Sequence, residues 1–359
     1  MKRMAIGLLI TILSLMLAAC GSQGGPSNDG GSNASPAPES EGSQELVVDD
    51  KPMQVTMAGG AAGGLWQSIG EAFSNAIRQS YPGSTVGYEP GTQAGSLLAA
   101  ANGEIQVAAS ASSVEISLAL EGAEPYPRKV EKNEIYALGK VYENLAQQVF
   151  ITKEFADKYG INTLADIREK KAPVRLMLND KGNLGVLNPS LTLLEAEGIT
   201  PELIQEWGGT VTNLPFKEAA GLIRDNKADM GIYAAFSPHG PIVELNTTRP
   251  LKMLPASQEA VNETMERWNL IPFTISPEDY DFVDEPIETT ALDAYFLLGK
   301  DVSEQDAYKL AKALHENLEL LQNAYSALSG LDEEMLVDVE LLDFHPGAAK
   351  YYREAGLIE

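Results

Sequence analysis

Gln54-Val55-Thr56-Met57-Ala58-Gly59-Gly60-Ala61-Ala62-Gly63-Gly64-Leu65-Trp66-Gln67-Ser68-Ile69 decides the fold. Gln54 to Ala58 read as a strand, and Gly59 to Gly64 as a loop of glycine and alanine. From there Leu65, Trp66, Ile69, Phe73 and Ile77 recur at helical spacing, which makes one apolar stripe for a core. Tyr81-Pro82-Gly83 stops the helix. The same alternation continues outward. Ser84 to Glu89 reads as a strand, Ala94 to Ala101 as a short helix and Ile105 to Ala109 as a strand. Strands alternating with helices indicate an α/β chain with a parallel sheet covered on both faces.

A second round follows. Gln147 to Thr152, Val174 to Leu178, Val211 to Leu214 and Met230 to Ala234 read as strands, with helices over Pro189 to Glu197 and Lys217 to Asp225. Two successive α/β units predict two lobes, and Asn144 to Thr152 and Thr289 to Leu298 are candidates for strands that cross between them. Leu310, Leu314, Leu318, Leu321 and Tyr325 predict one long helix from Ser303 to Leu328 that packs back on the first lobe. The expected division is 51–148 for the first lobe, 149–290 for the second, and 291–359 for the return to the first with the C-terminal helices.

Residues 1–19 carry a different signal. Lys2 and Arg3 precede an apolar run from Ala5 to Leu17, too short to span a bilayer core of roughly 30 Å at about 1.5 Å per residue. This pattern fits a secretory signal. It ends in Leu17-Ala18-Ala19-Cys20-Gly21, which resembles the bacterial lipobox and implies lipidation of Cys20. The one cysteine of the chain would then be acylated, which leaves no thiol for a disulfide, a metal site or a nucleophile. Residues 20–50 read as a lipidated flexible tether, since Gly21 to Gln44 hold little that could be buried. The expected location is the outer face of a cell membrane.

Charge narrows the partners. With 51 acidic against 26 basic residues, the chain offers no basic face for nucleic acid. Catalysis finds little support: His239, His315 and His345 lack zinc-binding spacing, and no G-x-S-x-G elbow occurs. We therefore expect no enzyme activity, no metal and no cofactor. Three loops instead offer hydrogen-bonding groups at strand ends: Gly59 to Gly64, Gly91 to Ser96 and Ser110 to Ser113. Ligands of open α/β sheets gather beyond the carboxyl ends of the strands. The first loop admits two readings, a tight strand-to-helix turn or a ligand contact. His239 reads as a cleft residue or an exposed loop histidine, and Tyr88, Trp207, Tyr233 and Phe236 as stacking or core aromatics.

With these residues in view, the chain resembles the TAXI family of solute receptors, which serve TRAP (tripartite ATP-independent periplasmic) transporters. The resemblance rests on Ala58 to Trp66, on Gly91 to Ala100, on Gly103-Glu104-Ile105-Gln106, and on Asn226-Lys227-Ala228-Asp229-Met230 followed by Gly240-Pro241. Its most specific part is the tail from His345-Pro346-Gly347-Ala348 to Tyr351-Tyr352 and Gly356. It covers about Met53 to Glu359. It implies a two-lobed periplasmic-binding-protein type II fold whose cleft closes on a small organic solute, which is passed to a TRAP-type membrane permease. Carried over by position, the ligand-binding residues would be Gly63, Gly64, Trp66, Gln93, Ala94, Ser96 and Ser110. On the second lobe, Asn183 and Gly185 stand where many members have a Gly-Ser-Gly-Thr loop. Leu184 and Val186 replace its hydroxyls, so the resemblance does not extend to glutamate or a dicarboxylate as ligand. The tail is implied to be structural or to dock the permease, and His345 not to be catalytic. Other readings are a receptor for an ABC importer or a membrane sensor, and a secreted hydrolase on a similar scaffold.

Overall fold

The computed structural model describes residues 46–60 and 62–359. The signal peptide expected at 1–19, Cys20 and most of the expected tether lie outside the described residues. Among the described residues no helix is long and apolar enough to cross a membrane.

Among the described residues ten strands form one sheet. They are β1 (Gln54–Gly59), β2 (Thr85–Pro90), β3 (Val107–Ser112), β4 (Ile135–Thr152) and β5 (Arg175–Leu178), then β6 (Thr210–Asn213), β7 (Met230–Ala235), β8 (Leu251–Met253), β9 (Ile271–Ile275) and β10 (Ile287–Gly299). The order is β2-β1-β3-β10-β4-β7-β5-β6, with β8 beside β4 and β9 beside β10. β1, β2 and β3 run parallel, as do β5, β6 and β7. The two long strands β4 and β10 run antiparallel to their neighbours and join the parallel groups, so the sheet is mixed rather than the parallel one expected. One end of β10 pairs with β3 through Ala294 to Leu298, and the other with β9 through Ile287 to Ala291. Ala146 marks the change-over on β4, since it faces Ala291 on one side and Ala235 on the other.

The amphipathic stripe read from the sequence forms the helix Leu65–Ser80, whose Ile69, Phe73, Ala76 and Ile77 have no exposed surface. Each buried isoleucine or phenylalanine contributes about 1.5–3 kcal/mol. Tyr81 caps that helix through its N–H to the Ile77 carbonyl, and Pro82 prevents continuation. The first-lobe core joins this helix to Phe296, Leu310, Leu314, Leu321 and Tyr352. A separate core in the second lobe gathers Ile151, Leu176, Leu193 and Ile232.

Three further sequence expectations are corrected. The long helix from Ser303 to Leu328 is instead Glu304–His315, Leu318–Gln322 and a 3₁₀ turn at Ser326–Leu328. Asn317 breaks it. Its side-chain amide donates to the Ala313 carbonyl at 2.9 Å and to Ser80 Oγ at 3.0 Å, and takes the acceptor that its own N–H would need to continue the helix. The helix expected from Pro189 starts earlier, at Leu184–Ala196, with Pro189 inside it. Proline supplies no N–H to the carbonyl four residues back, that of Gly185. Finally, β3 runs through Ser112, so Ser110 belongs to a strand rather than to the loop after it, because β10 pairs with it up to Ser112.

Asn144 lies within β4 at φ +68°, near the change-over. Asparagine tolerates this left-handed region, whereas a β-branched residue is strained there by about 1–2 kcal/mol. Asn144→Val is expected to lower the thermal midpoint by a few degrees, and calorimetry checks it. An unchanged midpoint would remove the strain argument.

Candidate functional site

Where the two parallel groups face each other beyond their carboxyl ends, a cavity of ≈ 390 Å³ opens. The first lobe supplies Gly60, Trp66, Gly91, Thr92 and Gln93 to its wall, and β4 supplies Tyr142 and Leu145. The second lobe supplies Asn179, Asp180, Gly182, Asn183, Val186 and Ala234.

The glycine loop gives this wall its shape by close approach. A Cβ on Gly59 would stand 2.5 Å from the Tyr88 hydroxyl, and one on Gly60 would stand 2.9 Å from Trp66 Cδ1. The two glycines therefore let both rings lie against the loop backbone. Trp66 is 8% exposed, with its ring centroid 5.4 Å from that of Tyr142. Tyr142 in turn meets Phe236 edge-on at 5.3 Å. Gly63, at φ +75°, donates its N–H to Gln67 Oε1 at 2.7 Å, and Gly64 caps the helix Leu65–Ser80.

Thr92 caps the helix Gln93–Ala101 by accepting from the Gly95 N–H at 3.1 Å, which leaves Gln93 half-buried at the cavity wall. Ser96 and Ser110 lie behind that wall. Both are buried, with their hydroxyls 3.4 Å apart and within the protein interior. Of the residues singled out in the sequence, the structure thus brings Trp66, Gln93 and Asn183 to one cavity. Ala94 lies in an adjoining one, Gly63 and Gly64 lie off the wall, and Gly185 sits in the first turn of the helix Leu184–Ala196, which begins just after Asn183.

The second-lobe face carries the informative polarity. Asn179 Nδ2 and Asn183 Oδ1 are buried atoms of the cavity wall with no hydrogen-bond partner in the protein. A buried polar group left unpaired costs about 1–3 kcal/mol, so one free donor and one free acceptor ask for a complementary ligand edge. Among the described wall residues Asp180 bears the one formal charge, and none is cationic. Asn179, Asp180 and Tyr142 were not singled out from the sequence. The position of Asn179 and Asp180 just past the carboxyl end of β5 is the signal that points to them.

Glu115 lies behind the cavity at the lobe interface. It is 1% exposed and accepts from the Ser112 N–H at 3.1 Å and from the Ser112 hydroxyl. The Gly185 backbone closes on it from the second lobe, where a Cβ would stand 2.6 Å from Oε1. Burial pushes its pKa above the ordinary 4.5 against these bonds. A carboxyl with a raised folded value has its stabilising effect whole below the unfolded value, and loses it as pH rises through the folded one. Glu115→Gln is expected to raise the thermal midpoint at about pH 7.5, with that gain gone at about pH 4. An equal difference at both pH values would refute the assignment.

Tyr88 and Phe236 pack against the first-lobe core and Trp207 against the second-lobe core. Tyr233 is core, with its hydroxyl on the Leu214 carbonyl at 2.9 Å, and His239 packs edge-on against Phe216 at 5.1 Å. Burial lowers the His239 pKa. His345 is 3% exposed and caps the helix Pro346–Glu354 through Nδ1, 3.3 Å from the Gly347 N.

Two α/β lobes joined by crossing strands, with a cavity walled by both, have the mixed α/β architecture of the type II periplasmic binding proteins. The MatC protein of Rhodopseudomonas palustris, solved with bound malate, superposes with a TM-score of 0.50 at 11% identity, over 86% of this chain and 99% of that one. The periplasmic binding protein BugD gives 0.47 at 16% identity, over 85% and 98%. A TctC solute-binding protein from Polaromonas gives 0.45 at 13% identity, over 85% and 99%. The chain belongs to the NMT1-like family, whose model matches residues 57–356, a family of TAXI- and TRAP-associated solute-binding proteins. It is an extracytoplasmic solute-binding protein of a transporter.

Proposed function

We propose that the cavity between the lobes captures a small, uncharged organic solute by lobe closure and that the protein hands it to a TRAP-type permease. The unpartnered Asn179 Nδ2 and Asn183 Oδ1 carry this reading. Together they match a carboxamide, ureido or similar edge that offers one acceptor and one donor. Trp66 and Tyr142, tilted 38° to each other, give the solute an aromatic wall, and Gln93 adds an amide from the facing lobe. With Asp180 on the wall and no cation, a dicarboxylate is disfavoured, since a buried carboxylate needs a charge partner. In this reading Ser96 and Ser110 support the wall, while Gly185 with Glu115 closes the interface. The lobes divide at 51–148, 149–290 and 291–359, and acylated Cys20 holds the body to the outer face of the membrane through the 20–50 tether.

Native mass spectrometry of the purified protein should show a retained uncharged solute, and that solute should raise the thermal midpoint by the amount RT ln(1 + [L]/Kd) requires. An anionic dicarboxylate in its place would overturn the charge argument. The Asn183 side chain makes no capping bond to its helix, so Asn183→Ala should leave the midpoint of the free protein nearly unchanged. It should weaken solute binding by up to about tenfold, the worth of one hydrogen bond. Equal binding by titration calorimetry would move the head group elsewhere. Co-purification of the tethered protein with its membrane partner separates a TRAP permease from an ABC importer or a sensor.

A further inference from the structure

Beside the cleft lies a second cavity of ≈ 230 Å³, which shares Thr92, Gln93 and Gly182 with it. Leu118 and Pro125 of the first lobe and Leu184 of the second wall it with apolar groups. Tyr126 also lines it. This side chain is 5% exposed, and its hydroxyl has no partner in the protein. Glu115 lies at the same wall, but its carboxyl is engaged by Ser112. Lys181 stands exposed at the rim. Phenylalanine would fill the position of Tyr126 without the penalty of an unpaired hydroxyl, so the hydroxyl marks a place where a ligand atom pairs with it.

We propose that this side chamber receives a flexible apolar arm of the solute and that the Tyr126 hydroxyl hydrogen-bonds the uncharged polar tip of that arm. The receptor would then take elongated molecules with a carboxamide-type head in the cleft and a hydroxyl-type end in the chamber. This rests on the reading of the cleft as the solute site. The apolar walls act on length, because each methylene they cover improves affinity by about three- to fourfold. Tyr126 acts on the tip, and because the chamber has no buried cation among its described lining residues, a charged carboxylate tip should bind more weakly than a hydroxyl.

Titration calorimetry of the whole receptor with acetamide, butanamide, hexanamide, 6-hydroxyhexanamide and the monoamide of hexanedioic acid tests this. Affinity should climb from acetamide to hexanamide by the stated factor per covered methylene. The terminal hydroxyl should add a further factor of roughly two to ten, and the terminal carboxylate should lose affinity. In Tyr126→Phe the hydroxyl's gain should vanish, while the midpoint of the free protein stays at or above that of the parent, which shows that the variant folds. In Leu184→Trp, which fills the chamber, the hexanamide-to-acetamide ratio should collapse toward one. The proposal is overturned by affinity that is indifferent to chain length, by a hydroxyl gain that survives in Tyr126→Phe, by a carboxylate that outbinds the hydroxyl, or by no amide binding at all. Acetamide binding that Asn183→Ala weakens, with no effect of length, would remove the chamber and keep the cleft. A length effect that Asn183→Ala does not touch, head group included, would keep the chamber and remove the cleft.

Discussion

A Gly185→Val receptor is expected to bind its solute at least tenfold more weakly than the parent. Gly185 lies in the first turn of the helix Leu184–Ala196, where a Cβ would stand 2.6 Å from Glu115 Oε1 and 3.0 Å from Oε2. Neither partner can give way. The carboxyl is buried and tied to Ser112, and Gly185 is fixed within a helix whose neighbours are packed. Two more atoms on the valine would press the first-lobe helix Ser113–Glu121 away from the second lobe. The contacts along that interface would then be lost, including the bidentate ion pair of Arg267 with Glu121 at 2.9 and 3.0 Å and the bond from the Asn269 amide to Ser117 Oγ at 3.0 Å. The buried cluster that joins Val186, Trp268 and Leu270 of the second lobe to Val114, Ile116 and Leu118 of the first would open as well, so the thermal midpoint of the free protein should also fall. If the closed form falls to a tenth of its population, apparent affinity falls tenfold, about 1.4 kcal/mol. Titration calorimetry reads the affinity and small-angle scattering reads the shape. Parent-like affinity with a parent-like scattering profile would show that this interface does not govern closure.

Gly347→Ala should produce the larger loss of stability, of about 2–4 kcal/mol. A Cβ there would sit 1.9 Å from the carbonyl oxygen of Glu304 and 2.7 Å from its carbon. Both are backbone atoms at the start of the helix Glu304–His315, so no rotamer change relieves the clash, and one of two packed helices must shift. The shift would disturb Tyr351 and Tyr352, which belong to the first-lobe core, and the bond from the Tyr352 hydroxyl to the Leu138 carbonyl at 2.7 Å. Differential scanning calorimetry checks this, and a midpoint equal to the parent's would contradict the close approach. The His345-Pro346-Gly347-Ala348 stretch thus has a packing explanation that requires no chemistry from the histidine.

The architecture was legible because period-2 and period-3.6 patterns are local, as in Gln54 to Ile77. Asn144 to Thr152 and Thr289 to Leu298 lie within the two strands that cross between the parallel groups. The errors came where a side chain overrode the pattern. Asn317 broke a helix that its leucines would have continued, and Pro189 was accommodated inside a helix it was expected to open. The candidate site was harder to read. Trp66 and Gln93 could be named because the resemblance carried them over by position, and Asn183 because it stands where many members have a Gly-Ser-Gly-Thr loop. Tyr142 is hidden within an apolar strand. Ser110 resembled a loop hydroxyl, but β10 covers it, a partner more than 180 residues away in the chain. The free donor on Asn179 exists only once every neighbour is in place.

The pairing at Ala146 has a mechanical consequence. Because β4 and β10 carry one hydrogen-bonded sheet through both lobes, any relative motion must be torsion spread along these strands, since a free joint would tear the ladder. In the proposed closure, the displacement this torsion produces grows with distance from its axis. Reporter groups on β2 and β6, the outermost strands of the sheet order, would register solute uptake with the greatest displacement, while a pair beside Ala146 would stay nearly still.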